Sequence, residues 1–167
     1  ERAGERQGRT AGLQGTSGVS LGDTATLRYV GGAAAFGKNV TVTGGTASIE
    51  NAGGAALTLA GTLSKDGTTL RLIGGPISVT GTITGPSANS DLVVAGTASV
   101  SFLSANTYVG PTSVIQSSTL AYGVAGAIPS NSVVTLGDAT TVGTLDLGVF
   151  SGSISQLVFG AAGGTLR

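Results

Sequence analysis

Six acidic side chains are spread along the body of the chain, Asp23, Glu50, Asp66, Asp91, Asp138 and Asp146, and they are the first residues to consider for chemistry. A glycosidase sets two carboxylates opposite one another across a cleft, and a polysaccharide lyase needs a basic residue beside acidic metal ligands on one face. Only Asp66 and Asp91, with Lys65 nearby, are spaced so that successive turns of chain could bring them to one edge. They read as solvated surface. Asp146 stands between Leu145 and Leu147 and by strand alternation points outward, as a solubility charge. His, Cys, Met and Trp are all absent, which removes imidazole bases, thiol nucleophiles, disulfides and the ordinary transition-metal ligands together. Ser is abundant, yet no Gly-x-Ser-x-Gly elbow occurs and no His is present to activate a hydroxyl. Gly31-Gly32-Ala33 and Gly160-Ala161-Ala162-Gly163-Gly164 lack the Lys-Ser/Thr or the helix that would hold a phosphate, so they read as turns. The residues therefore predict no catalytic site, no metal, no cofactor and no enzyme.

Two further residue types could make a binding surface. Tyr29, Tyr108 and Tyr122 lie too far apart in sequence to form a stacking platform, and Tyr108 is expected to pack at a corner. Thr24-Ala-Thr26, Thr41-Val-Thr43 and Thr80-Gly-Thr82-Ile-Thr84 form the Thr-x-Thr pairs with which some β-solenoids order surface water and bind ice. Such a face needs a pair on every successive coil. The positions matched near residues 60 and 99 read Ala60-Gly61-Thr62 and Thr97-Ala98-Ser99, so the array reads as broken.

The elements that must carry these residues are short strands. From Leu21 onward the chain runs through TATLRYV, NVTVT, TASIE, ALTLAGTLS, TTLRLI, ISVTGTIT, DLVVAG, TASVSFLS, SVI, TLAY, SVVTL and TLDL, each alternating apolar with small polar residues. Turns fall at Gly31-Gly32, Gly44-Gly45, Gly53-Gly54, Asp66-Gly67, Gly74-Gly75-Pro76 and Gly85-Pro86. Superposing residues 53–64 on 73–84 matches Leu57 with Ile77, Leu59 with Val79, Gly61 with Gly81 and Leu63 with Ile83, a period of 20. A similar offset brings Leu70 and Leu72 near Leu92 and Val94, two residues further because Ser87-Ala88-Asn89-Ser90 lengthens a turn. Repeats of this length point to a solenoid whose coils bury their faces only against neighbouring coils. A sandwich or barrel would need hairpin turns, and Asp66-Gly67 is the one clear hairpin signal.

Composition agrees with thin layers. Only 4% of residues are aromatic and Gly numbers 30 in a chain of 167, so Val, Leu, Ile and Ala must fill the interior. Eight basic and eight acidic residues leave no net charge with which to attract nucleic acid or an anionic membrane. From Leu92 to Gly137 there is no charge at all, yet no run reaches the roughly 18 apolar residues of a membrane-spanning helix. Neither a nucleic-acid partner nor membrane insertion of this segment is expected.

Residues 102–160 also resemble a known family. Asn106-Thr107-Tyr108-Val109-Gly110-Pro111-Thr112, Ser118-Thr119-Leu120, Gly126-Ala127-Ile128-Pro129-Ser130, Val133-Val134-Thr135-Leu136, Gly143-Thr144-Leu145-Asp146-Leu147 and Ile154-Ser155-Gln156-Leu157 are similar, in order and spacing, to the passenger-associated transport repeat of bacterial autotransporters. Val109, Pro111 and Ser118 depart from the family's usual residues at turns. The resemblance implies a right-handed, single-stranded parallel β-helix and secretion through the outer membrane to the cell surface. The absence of Cys fits a chain that crosses an oxidising periplasm unfolded.

The combined expectation is an all-β, right-handed single-stranded parallel β-helix (a β-solenoid) of about seven coils over residues 21–167, on the order of 35 Å long. Leu57, Leu59, Ile77, Val79, Val134, Leu136, Leu145 and Leu147 should share one core. Residues 1–20 are polar and read as a flexible tail, or as an arm that docks through Leu13 and Val19. The functional expectation is a structural segment, a passenger stalk or adhesin support. The expected partners are adjoining coils, end-to-end copies of the chain in a fibre, or a cell-surface or glycan receptor. Lacking Met, the chain reads as an excised piece.

Overall fold

Alternation at period two places every second side chain on one side of a strand, and here that side is apolar in almost every strand, so each strand must cover a common interior. The computed structural model, which describes residues 17–167, shows how. The chain winds through seven coils. The first coil holds β1 (Val19–Leu21), β2 (Thr26–Tyr29) and β3 (Ala34–Phe36), and the second β4 (Val40–Val42), β5 (Thr46–Asn51) and β6 (Leu57–Leu59). The third holds β7 (Leu63–Ser64), β8 (Thr69–Gly74) and β9 (Ile77–Val79), and the fourth β10 (Ile83–Thr84), β11 (Leu92–Ala95) and β12 (Ser99–Phe102). The last three have two strands each: β13 (Thr112–Val114) and β14 (Thr119–Tyr122), β15 (Val133–Leu136) and β16 (Gly143–Asp146), β17 (Gln156–Phe159) and β18 (Gly164–Leu166).

All pairing is parallel and runs from coil to coil. Sheet A stacks β1-β4-β7-β10, sheet B stacks seven strands from β2 to β17, and sheet C seven from β3 to β18. The protein is thus an all-β parallel β-solenoid of about seven turns, with no helix among the described residues. The expected register holds: Leu57 pairs with Ile77, Leu59 with Val79, Leu63 with Ile83, Leu70 with Leu92 and Leu72 with Val94. Coil length is uneven, from 20 residues between Leu57 and Ile77 to 25 between Leu120 and Leu145.

Ile49, Leu72, Val94, Val114 and Leu136 are among the residues that form the interior, buried as stacked files of aliphatic side chains with Phe102, Tyr108 and Tyr122 as the large rings. Of the eight residues expected inside, Leu147 alone is only partly buried, packed against the core from its margin. Fully burying a Leu, Ile or Val stabilises by about 1.5–3 kcal/mol, so the files hold the coils together more strongly than any surface pair.

The first strand begins two residues earlier than expected, at Val19, where Val19 and Ser20 pair with Val40 and Thr41. Val19 therefore anchors the chain's own first coil. Leu13 and the rest of the expected tail through residue 16 lie outside the described residues.

Sheet A ends at β10, although the next coil still follows it for a few residues. Thr107 N donates to Ile83 O (3.0 Å) and Val109 N to Gly85 O (2.9 Å). Beyond that, residues 124–131 and 148–155 cross the same side as loops.

Candidate functional site

Lys65 was expected at the surface, and the structure overturns that expectation. The β7 register runs Leu63 in, Ser64 out, Lys65 in, and Lys65 is fully buried. Lys65 N donates to Thr84 O and Val109 N to Gly85 O, which stacks Gly85 between Lys65 and Tyr108 in successive coils. The Lys65 Nζ donates to the Ser90 carbonyl and sits 4.1 Å from the centroid of the Tyr108 ring. An added Cβ at Gly85 would lie 2.6 Å from the Ser90 Cβ and 3.2 Å from the Lys65 carbonyl oxygen, so Ser90 fills the space beside this glycine.

The surroundings are polar and buried. Tyr108 Oη bonds Thr112 Oγ1 (2.7 Å), Thr112 Oγ1 bonds Ser132 Oγ (3.1 Å), and the Ser132 hydroxyl donates to Gly110 O (3.0 Å). Asp91 Oδ1 and Thr68 Oγ1 are buried without a partner. Burial pushes the Lys65 amine down to about 7 against the opposing pull of Asp91. Burial also raises the Tyr108 phenol, partly offset by its bond to Thr112, so the ring stays neutral. Lys65 and Asp91 thus lie at one corner, while Asp66, which the spacing could have brought to one edge with Asp91, faces solvent. The readable signal was the match of Thr62-Leu63-Ser64-Lys65 to Thr82-Ile83-Thr84-Gly85, which puts Lys65 in line with an inward glycine.

The remaining acids join coil to coil. Asp23 Oδ1 accepts from Thr46 N (2.9 Å), Asp66 Oδ1 from Ser87 N (2.9 Å) and Asp138 Oδ2 from Gln116 N (3.3 Å). Asn39 Oδ1 accepts from Thr62 N in the same manner (2.9 Å). Glu50 pairs with Arg28 (3.1 Å) and Asp146 with Arg167 (3.0 Å), each across one coil step. Asp146 is therefore a half-buried bridge and not merely a solubility charge. Asp138 is held far below the usual carboxylate range, first by the Thr141 hydroxyl and then by the Thr140 and Thr141 amides. Hydrogen bonds from Ser87 lower Asp66 as well. Among the described residues no group of three or more His, Cys, Asp or Glu is gathered for a metal.

Sheet A carries the threonine pattern in a different register from the one expected. Ser20, Thr41, Ser64 and Thr84 stack as one outward file. Asn39, Thr62 and Thr82 form a second file one pleat away, set by Val40 N to Thr62 O and Leu63 N to Thr82 O. Rungs repeat at about 4.8 Å and the files lie about 7 Å apart. Thr80-Gly81-Thr82 does lie over Ala60-Gly61-Thr62, but the paired files run one pleat on, Thr62 and Ser64 against Thr82 and Thr84, and Val40 pairs with Leu63, 23 residues on and not 20. Thr24 and Thr26 belong elsewhere, in a turn with positive φ and on sheet B.

Past the end of sheet A a depression of about 450 Å³ is lined by Asn106, Thr107, Tyr108, Ile128, Ser130 and Asn131, among others. The Asn106 amide crosses beneath it, with Oδ1 accepting from Ile83 N and Nδ2 donating to Ala127 O (both 2.7 Å). Tyr108 and Tyr122 are buried, so no tyrosine platform forms there. Fold and side-chain geometry together define a parallel β-solenoid with neutral outer faces and clipped corners. No family model, curated protein or solved structure matches the chain.

Proposed function

We propose that this chain is a non-catalytic structural segment of a secreted or surface-displayed bacterial protein, a stalk of the kind the autotransporter resemblance implies. The observation that supports this most is the use of the acidic residues. Asp23, Glu50, Asp66, Asp138 and Asp146 each bridge one coil to a neighbouring coil, which stiffens a rod and, among the described residues, leaves no carboxylate pair across a cleft. Each coil in such a stack gives the next an edge to pair with, so coils folded outside a membrane hold the chain against sliding back. Its partners are then further β-helix coils or copies of itself end to end, with no role for nucleic acid. The gene's full reading frame tests the surface-display part: an upstream signal peptide and a downstream β-barrel translocator are expected, and a frame with neither overturns it. Cleavage of any member of a polysaccharide panel by the purified chain would overturn the non-catalytic part.

A second reading rests on sheet A. Its two files of uncharged hydroxyl and amide groups match a flat, repeating surface such as ice or a packed glycan. Inhibition of ice recrystallisation, or retention on crystalline polysaccharide, that is lost in Thr41→Lys/Thr84→Lys would favour this reading. No effect in either assay would remove it.

A further inference from the structure

We propose that Lys65 is a proton-operated latch on the corner formed by residues 85–91: uncharged, its amine holds the Ser90 carbonyl inside the solenoid, and on gaining a proton it lets that corner open. A protonated amine carries three N–H donors and needs partners for all of them, whereas a neutral amine has two donors and a lone pair. The corner offers the Ser90 carbonyl and the face of the Tyr108 ring. Asp91 is not in ion-pair contact, since the ion pairs among the described residues are Arg28–Glu50 and Arg167–Asp146. The carbonyl and the ring face would serve an ammonium too, but neither is a counter-charge, and the third N–H would be left without a partner. Nζ is wholly enclosed, so desolvation opposes protonation, as its lowered affinity for a proton reflects.

The groups that face the amine are few. Tyr108 comes from the fifth coil and remains a neutral phenol. Asp91, whose charge pulls against the burial, comes from the corner itself. Gly85 lies in the next coil, and continuing the β4–β7 register places Val42 on the other side, so neither brings charge. Asp66 is turned out onto Ser87 N, and Arg71 lies on the outer side of β8. When a solvent proton adds to the Nζ lone pair, the carboxylate among the described residues whose charge acts on the ammonium is Asp91, whose Oδ1 lacks a donor. Bringing the two together requires the corner to move. At its two ends that corner is tied into the ladders by Val109 N to Gly85 O and Leu70 N to Asp91 O, and between them it is held by Gly67 N to Ser90 Oγ, Ser90 N to Ser87 O, Asp91 N to Thr68 O and Ser87 N to Asp66 Oδ1.

Amide hydrogen exchange on the whole chain tests the latch. Protection of the Ser90 and Asp91 amides, corrected for the intrinsic rate, should fall at least about tenfold between pH 8.5 and pH 5.5, while Leu72 and Val94 stay protected. In Lys65→Met the fall should vanish. Equal protection at both pH values, or the same fall in Lys65→Met, overturns the proposal. If that variant does not fold, the parent still decides: the Lys65 Cε resonance must titrate together with the loss of protection, and an amine that remains charged at pH 8.5 refutes the latch.

Discussion

Replacing Gly81 by Ala adds one methyl group at the corner between sheets C and A, where consecutive coils come into backbone contact. Its Cβ would sit 2.0 Å from the carbonyl oxygen of Gly61 and 2.6 Å from the carbonyl carbon. Real Cβ contacts stay beyond about 3 Å, so the third and fourth coils must part locally by about 1 Å from a ladder spacing of about 4.8 Å. The bonds at risk are Thr80 N and Gly81 N to Leu59 O (3.0 and 3.1 Å) and Leu63 N to Thr82 O (3.0 Å). Losing one or two of them at about 1 kcal/mol each, with overpacking of about 1–3 kcal/mol, gives a destabilisation of about 2–5 kcal/mol. Gly32→Ala is the control, because nothing lies within 4 Å of the added methyl. It should be neutral or slightly stabilising through the unfolded chain. Urea unfolding of both variants beside the parent measures the difference. If Gly81→Ala lies within about 0.5 kcal/mol of Gly32→Ala, close backbone approach is not what fixes glycine at this corner.

Leu72→Ala empties a fully buried site between Ile49 and Val94 and should cost about 2–5 kcal/mol in the same assay. Val79→Asp buries an unpaired charge beside Leu59 and Phe102 and should abolish cooperative folding at neutral pH; a melt like the parent's would show that Val79 does not point inward. For Lys65 the folded affinity for protons lies below the unfolded one, so the unfolded chain binds more protons and stability rises with pH between about 7 and 10.5. At about 1.4 kcal/mol per unit the rise has an upper bound of about 5 kcal/mol, and Lys65→Met should flatten it in melts from pH 6 to pH 10. Asp138 has the opposite sign: its bonds to Thr140 and Thr141 stabilise above the ordinary carboxylate value of 3.8. The loss in Asp138→Ala should therefore be present at neutral pH and shrink as pH falls below that value.

The inward files could be read from the chain because alternation and glycine placement are local properties. Leu57 with Ile77 and Leu72 with Val94 follow from laying one coil's sequence on the next, with nothing else in the molecule consulted. What lay beyond reach depends on the offset from coil to coil, and that offset changes at every corner. The hydroxyl files of sheet A were missed because the second coil is longer than the third, so Thr41 faces Ser64 and not Gly61. Lys65 was misplaced for a chemical reason: a charged residue in an alternating strand reads as outward, and here the Ser90 carbonyl and the Tyr108 ring receive the amine of an inward lysine. The carboxylate clips likewise require knowing which amide lies 21 to 23 residues away.

The end of sheet A at β10 divides the rod mechanically. Hydrogen bonds between coils run along its long axis, so a pull at the two ends loads them head-on and peels coils away one at a time. Each released coil of 20 to 25 residues lengthens the chain by about 70–80 Å. In the first four coils three ladders share the load, and in the last three only two do. A force–extension trace should therefore show two plateaus, with the region beyond β12 yielding first as a sacrificial length that spares the stiffer base.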